Sequence, residues 1–504
     1  MIVSKSLNEL HRLIDMKEAT YTTPVRFYFS DGPKETTIGR LFIWEISGYL
    51  PEKEIDKKES AKIVSHINNN YTPEVAGRRL HKLQQFGFHK ATMSGLSLCY
   101  DDTKFDFGID FPAMTQELGK MGYEDRLAAA DKVINECTDR WFKEVDRHNP
   151  LYAMGVSGAR VSPPQVRSMV VAKGLLVGMT GKIMPMPIME NLSSGLSPIN
   201  YFNTCGPARK GLAGNFFLVP ATGWFARQLV NCSRELSIVE EDCGTKEVIT
   251  LPKKSALYRF TSDRVMVTKE NVDQLADEEG NVKVLSPITC ESTKGGVCQH
   301  CCGMDPAKPA NFFPINFGIG TASAQHISEP STQAGLRGKH TSGSTTLKEF
   351  GTSVSNTLAD ILKTVGGRGT AVAQVSESKY KCITDLAHET GSAIKGAELA
   401  SIQLKHIFDD IGIGIASIHH EIIARGCTDL VKMNNGRIGV RSMGDKGEVL
   451  AIKADAIPTK HPSWLKSIGH GNVKQRLTSA VLNGDVSFGT RSEMIIAGLN
   501  LNNK

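Results

Sequence analysis

Four cysteines, Cys290, Cys298, Cys301 and Cys302, fall within thirteen residues of the string TCESTKGGVCQHCCG. This cluster constrains the fold more than any other feature, because sulfurs that share one ion force the backbone to return to one point. A Cys-x-x-Cys pair presents two thiolates on a tight turn, as a tetrahedral zinc requires. Cys290 lies eight residues before Cys298 across Gly295-Gly296 and can return to the same point. Adjacent Cys301 and Cys302 do not easily ligate one ion together, so the fourth ligand is open among Cys302, His300 and a distant residue. Cys243, in EEDCGTKE, is the best distant candidate because a Cys-Gly turn follows an acidic run. The competing reading is unrelated buried thiols. A redox Cys-x-x-Cys would need a βαβ context that this stretch lacks. A zinc here would be structural, fixing a segment with a small core.

Composition narrows the class. In 504 residues, 40% are hydrophobic and 22% charged, which excludes a wholly disordered chain. Eleven cysteines in that length are too few for a disulfide scaffold. No run of eighteen apolar residues occurs, so no transmembrane helix is expected. The start, MIVSKSLNELHRLIDMKEAT, carries charges throughout and is not a secretory signal. The expectation is a cytoplasmic chain with reduced thiols. The balance of 59 Lys+Arg against 53 Asp+Glu, net +6, permits nucleic-acid contact without demanding it.

Periodicity predicts an α+β chain of several modules. Residues 20–50 alternate as strand and turn. Residues 113–147 have apolar spacing near 3.6, with charges opposite. Residues 161–177 are expected to be helical after Ser162-Pro163. A long helix is expected over 206–236, about 45 Å at 1.5 Å per residue, kinked near Pro220 and Gly223. Short strands and turns fill 236–300. Helices are expected over 318–340 and 346–365, flanking a Gly-rich joint at His340–Ser344. Two more helices lie in 393–427, and the tail from Pro462 is mixed.

In SEPSTQAGLRGKHTSGS, Gln333, Leu336, Arg337 and His340 recur at i, i+3, i+4 and i+7, which is one helical face. An amide can bond a ribose hydroxyl, and Leu can pack on a base. Arg can fork onto phosphate, and His can bind phosphate or donate a proton. The set suits a nucleoside triphosphate lying along a helix. Gly335, Gly338 and Gly343 weaken that helix by roughly 1 kcal/mol each, as suits a helix that folds over its ligand. The bland alternative is a solvated basic segment. No Asp-x-Asp-x-Asp motif and no P-loop are present, so magnesium carboxylates are expected from elsewhere.

These strings, in this order, resemble the C-terminal half of the largest (β′) subunit of multisubunit DNA-directed RNA polymerase. TTIGRLFIWEISGYLP at 36–51, FGFHKATMSGLSLCYDD at 86–102 and NPLYAMGVSGARVSPPQVRSM at 149–169 resemble its successive segments, the last leading into the F-loop near 171–183. YFNTCGPARKGLAGNFFLVPATGWFARQLV at 201–230 resembles the bridge helix, and ASAQHISEPSTQAGLRGKHTSG at 322–343 the trigger loop. HIFDDIGIGIASIHHEIIARGC at 406–427 and HPSWLKSIGHGNVKQRLTSAVLNGD at 461–485 resemble its C-terminal elements. Departures include Phe216-Phe217 and Pro220 in the bridge helix. In the trigger loop Ser328, Ser331, Gly335 and Lys339 depart, Lys339 standing where Phe usually precedes the His.

The resemblance implies a subunit with a bridge helix, a helical trigger loop and a small zinc module. Zn2+ would be held by Cys243, Cys290, Cys298 and Cys301. Gln333 would contact ribose and Leu336 the incoming base, while Arg337 and His340 would contact the triphosphate. Arg209, Lys210 and Arg227 would meet nucleic acid or neighbouring loops. Catalytic Mg2+ would be bound mainly by a partner, the β′ N-terminal subunit with its aspartates. Other implied partners are β-type subunits, a sigma-like factor, template DNA, product RNA and NTPs, with no membrane. The short, split form is most like the β′ subunits encoded by giant bacteriophages, in an infected bacterial cytoplasm. The expected division is 1–112 (mixed α/β), 113–150 (funnel-like helices), 151–236 (F-loop and bridge helix), 237–312 (zinc module), 313–367 (trigger loop), 368–460 (jaw or connector) and 461–504 (clamp-like tail). The alternative is a non-catalytic zinc-containing nucleic-acid-binding or scaffolding subunit docking onto a polymerase.

Overall fold

The computed structural model describes residues 2–30, 32–178, 182–292, 294–306, 308–341, 344–345, 360–361, 363–366, 380–410, 412–468 and 473–484. They fall into two compact units. One comprises Met1–Ala208 with Thr341–Leu347, the other Arg209–His340 with Lys348–Lys504. The seven segments expected from sequence are finer than this division.

In the first unit, strand Ile2–Ser4 pairs in parallel with Pro24–Phe29, which pairs antiparallel with Gly32–Thr37. Alternation along PVRFYF turns Val25 and Phe27 inward, as a half-buried strand requires. They pack with Ile38, Leu41 and Phe42 of helix Ile38–Ser47. The expected helical pair is Phe111–Lys120 and Tyr123–Glu144. The first is capped by the Asp110 carboxylate, which accepts from the Ala113 amide at 3.1 Å. Leu127, Ala130, Ile134, Cys137 and Trp141 form the buried stripe of the second. The helix expected over 161–177 is shorter than that. It runs as Pro163–Val166 and a wider turn, Arg167–Val171, then Ala172 turns extended and Leu175–Leu176 becomes a strand paired with Ser344–Thr345. Gly174 has φ +79°, which ends helical geometry.

The long helix is Pro198–Ser233, 36 residues or about 54 Å. It starts earlier than the periodicity suggested and runs unbroken through Pro220 and Gly223. Ala221, Phe225, Leu229 and Cys232 are buried on it, and Phe225, Leu229 and Cys232 join the largest core of the second unit. The same core takes in helices Ile383–Thr390, Ala393–Asp410 and Ser417–Cys427. From Ile418 to Cys427 every residue is buried. A three-stranded antiparallel sheet follows, Leu430–Lys432 pairing with both Ile438–Val440 and Glu448–Val449. Of the helix expected over 346–365, residues 346–359 and 362 lie outside the described residues, and 360–361 and 363–365 are helical.

Candidate functional site

The cysteine module is built from two strands. Ile238–Glu240 pairs in parallel with Val297–Cys298, so the segment after the first strand and the end of the second lie together. The turn before Cys298 requires glycine twice. Gly295 (φ +74°) and Gly296 (φ +64°) are left-handed, and a Cβ on Gly296 would lie 2.5 Å from the Ser237 carbonyl oxygen. A one-turn helix, Gln299–Cys302, then carries Cys301 back, its amide approaching Cys298 Sγ at 3.4 Å.

The result brings Cys243, Cys290, Cys298 and Cys301 together, with all four sulfurs within 4.8 Å of one another. Cys243 Sγ is 3.7 Å from both Cys290 Sγ and Cys301 Sγ. A tetrahedral zinc with Zn–S near 2.3 Å places its sulfurs about 3.8 Å apart, so the donor set fits. Hydrogen bonds from the Cys290, Cys298 and Cys301 thiols push the Cys243 thiol down, and their bonds to Cys243 push Cys290 and Cys301 up. A divalent cation would supply the counter-charge this crowding lacks. Of the alternative ligands, Cys302 lies outside the group; it is buried, and burial pushes its thiol up. His300 lies outside it too: its ring packs against the stacked Phe260 and Phe312, and Nδ1 meets the Glu241 carbonyl at 2.8 Å. Among the described residues no other group of three or more His, Cys, Asp or Glu side chains could hold a metal.

Behind this module lies an ion pair the sequence did not reveal. Arg259 Nη1 and Nη2 donate to Glu421 Oε1 and Oε2, each at 2.8 Å, and Ser286 Oγ donates to Oε2 at 2.7 Å. Nη2 also donates to the carbonyls of Leu285 (2.8 Å) and Cys301 (3.2 Å). Burial works against the guanidinium charge, but Glu421 outweighs it and the Arg259 pKa is raised. Partners 162 residues apart leave no local signal.

The residues expected from sequence to face a nucleoside triphosphate fall on one continuous helix, Ile319–Thr341, with Pro330 inside it. Gln333 is exposed. Leu336, Arg337 and His340 lie on the same helix, with side chains outside the described residues. Its root is fastened to the end of the long helix, where Ser233 Oγ donates to the Gly320 carbonyl at 2.9 Å. The Gly320 amide donates to the Leu236 carbonyl at 3.0 Å. A Cβ on Gly320 would collide with the Ser233 carbonyl, so only glycine permits this approach. His326 stacks on His419 at 4.4 Å with 9° between the rings, and Ser323 Oγ lies 3.0 Å from His419 Nδ1. On the long helix Arg209 and Arg227 are exposed, the latter with its guanidinium 5.6 Å from the Trp224 ring centroid. Lys210 lies between them, its side chain outside the described residues.

A long helix, a four-cysteine module and a second helix follow one another along the chain. The family model for RNA polymerase Rpb1, domain 5, covers residues 195–386, which span all three. Named relatives agree with it. The DNA-directed RNA polymerase subunit beta' of Thermodesulfovibrio yellowstonii is 29% identical over 392 residues, 64% of this chain and 28% of the relative. The subunit of the same name from Sulfurihydrogenibium sp. is 30% identical over 377 residues, 63% of this chain and 24% of the relative. That of Fusobacterium nucleatum is 29% identical over 454 residues, 76% of this chain and 33% of the relative. The matched part is thus similar to a C-terminal region of β′-type subunits, and the chain spans about a quarter to a third of the length of these relatives. No helix among the described residues is long and apolar enough to cross a membrane.

Proposed function

We propose that this chain is a β′-type C-terminal subunit of a DNA-directed RNA polymerase. In this reading Pro198–Ser233 acts as the bridge helix, the helix Ile319–Thr341 belongs to the trigger loop, and the four cysteines hold a structural Zn2+. The observation that carries it is the single ordered match over residues 195–386, which takes in both helices and the cysteine group.

The chain's part in catalysis is positioning. Gln333 orients the ribose and Leu336 covers the base. Arg337 and His340 contact the triphosphate, where their bonds strengthen as charge develops on the departing pyrophosphate. Arg209, Lys210 and Arg227 contact nucleic acid or adjoining loops. Two-metal chemistry is supplied by Mg2+ on carboxylates of a partner, since this sequence has no dense carboxylate motif. The seven segments, from the mixed module at 1–112 to the tail at 461–504, belong to this reading. So do the partners: an aspartate-bearing β′ N-terminal subunit, β-type subunits, a sigma-like factor, DNA, RNA and NTPs. The form proposed is the split subunit of giant bacteriophages, acting in the cytoplasm of an infected cell.

The test is purification of the tagged chain from its native source, with a primed-template RNA synthesis assay. The proposal expects template-dependent RNA synthesis by the assembly and none by the chain alone. Synthesis by the isolated chain, or co-purification with a complete cellular polymerase already holding its own β′, would refute it. The second outcome favours the docking-scaffold reading.

A further inference from the structure

Beside the cysteine group, two guanidiniums share one buried carboxylate. Helix Ser417–Cys427 delivers Arg425, and Asp429 follows just past its end. The chain returns through strand Ile438–Val440, which sets Arg441 and Ser442 against the same point. The Arg441 amide donates to the Asp429 carbonyl at 2.8 Å. The Asp429 carboxylate accepts from the Ser442 amide at 2.9 Å and from Ser442 Oγ at 2.6 Å. The cysteine loop rests on this elbow. The Gly296 amide donates to the Ser442 carbonyl at 3.1 Å, and a Cβ on Gly295 would collide with that oxygen.

The charges at this elbow do not balance. Arg425 is 2% exposed. Its Nη1 lies 3.8 Å from Asp429 Oδ1 and 3.5 Å from the Thr428 carbonyl, and its Nε meets no acceptor. Arg441 Nη1 donates to the Thr428 carbonyl and Nη2 to the carbonyls of Ile288 and Cys290, each at 3.4 Å. Both cations thus lean on carbonyls and on one carboxylate that Ser442 already occupies. Glu291 also favours the Arg441 charge, but it is exposed, where water and salt screen it. Other buried cations of this unit have carboxylates of their own: Arg259 has Glu421, and Lys466 has Glu235 at 4.0 Å. Burial works against the charges of Arg425 and Arg441, and for Arg441 so does neighbouring Arg425; Asp429 and a negative charge at Cys290 work for both. A buried cation short of compensation is costly. Four thiolates around one Zn2+ carry a net double negative charge, which is the charge this corner lacks.

We infer that Arg425 and Arg441 supply the counter-charge of the metal site: they neutralise the thiolates that hold Zn2+, and Asp429 limits how much of their charge the site receives. Both are positioning residues, which act on the metal through the charge of its ligands. The inference rests on the zinc reading of the four cysteines and extends it by naming what the metal is bound against.

The test is zinc affinity of the full chain, measured by competition with a chelator of known affinity, together with the melting temperature of the metal-free chain. Arg441→Met leaves Arg425 and Asp429 as a matched pair. The metal-free chain should then melt no lower than the parent, while zinc binds about 10- to 100-fold more weakly. Arg425→Met should weaken zinc likewise. Arg441→Lys keeps the charge and should hold zinc within about threefold of the parent. Asp429→Asn acts in the opposite sense. Two buried cations lose their carboxylate, so the metal-free chain should melt lower, yet zinc should bind at least about threefold more tightly. An elbow that mattered only for packing would weaken zinc in Asp429→Asn as well, and that result overturns the inference whether or not the arginine variants fold. Parental affinity in both Arg441→Met and Arg425→Met also overturns it and leaves the zinc reading standing. A parent chain that binds no zinc sinks the zinc reading, and this inference with it.

Discussion

Replacing Glu421 by Gln keeps the side chain's shape and removes its charge. Glu421 accepts three hydrogen bonds, two from Arg259 at 2.8 Å and one from Ser286 at 2.7 Å. An amide can accept at its oxygen, but its NH2 faces the other guanidinium nitrogen, donor against donor. The buried Arg259 charge is then uncompensated. Breaking a buried pair from one side costs about 3–5 kcal/mol, or about two to nearly four powers of ten in the unfolding equilibrium. Domain stabilities are only about 5–15 kcal/mol, so the second unit should lose much of its margin. At about 2–4 °C per kcal/mol for a domain of this size, the melting temperature should fall by about 6–20 °C. Arg259 also holds the Cys301 carbonyl, so zinc should pass faster to a colorimetric chelator. Removing both ends together, Arg259→Met with Glu421→Leu, should recover most of the loss, because no charge is left stranded. Circular dichroism melts and chelator-detected zinc release measure both effects. A Glu421→Gln protein within about 1 kcal/mol of the parent would refute the claim that this pair ties the cysteine module to the buried helix.

Three further outcomes are expected. Metal analysis should find one zinc per chain, lost in Cys243→Ser and Cys290→Ser and kept in Cys302→Ser; the reverse pattern would transfer the fourth ligand to Cys302. His340→Ala and Arg337→Ala in the assembled enzyme should slow single-nucleotide addition at saturating NTP about 30- to 1,000-fold, or about 2–4 kcal/mol, while Leu336→Ala weakens NTP capture; wild-type rates would refute the trigger-loop assignment. Burial lowers His419 to about 4 and His420 and His461 to about 3, from 6.5. Depressed folded values mean that stability is complete above pH 6.5 and falls toward pH 3–4, by about 1.4 kcal/mol per pH unit for each histidine that only the unfolded chain protonates; a melting temperature flat from pH 6.5 to 4.5 would contradict this.

The sequence by itself determined the features whose cause is local. Spacing of 3.6 was enough for the helices at Phe111–Lys120 and Tyr123–Glu144. The spacing of Cys290, Cys298 and Cys301 around a Gly-Gly turn was enough for three of the four clustered sulfurs. The fourth, Cys243, was one option among several until folding brought strand Ile238–Glu240 beside Val297–Cys298, because strand pairing between segments so far apart in sequence leaves no periodic trace. The helix expected over 161–177 gave way where Gly174 and the pairing of Leu175–Leu176 with Ser344–Thr345 outweighed a local preference. Pro220 marked a kink by its own chemistry, and the helix runs on through it. Buried Ala221, Phe225, Leu229 and Cys232 offset the hydrogen bond that proline cannot make, and such burial exists only in the folded core. Arg259 and Glu421 were single charges in the sequence. Only the tertiary structure makes them a pair, because a charge taken out of water must find its partner wherever the fold has placed one.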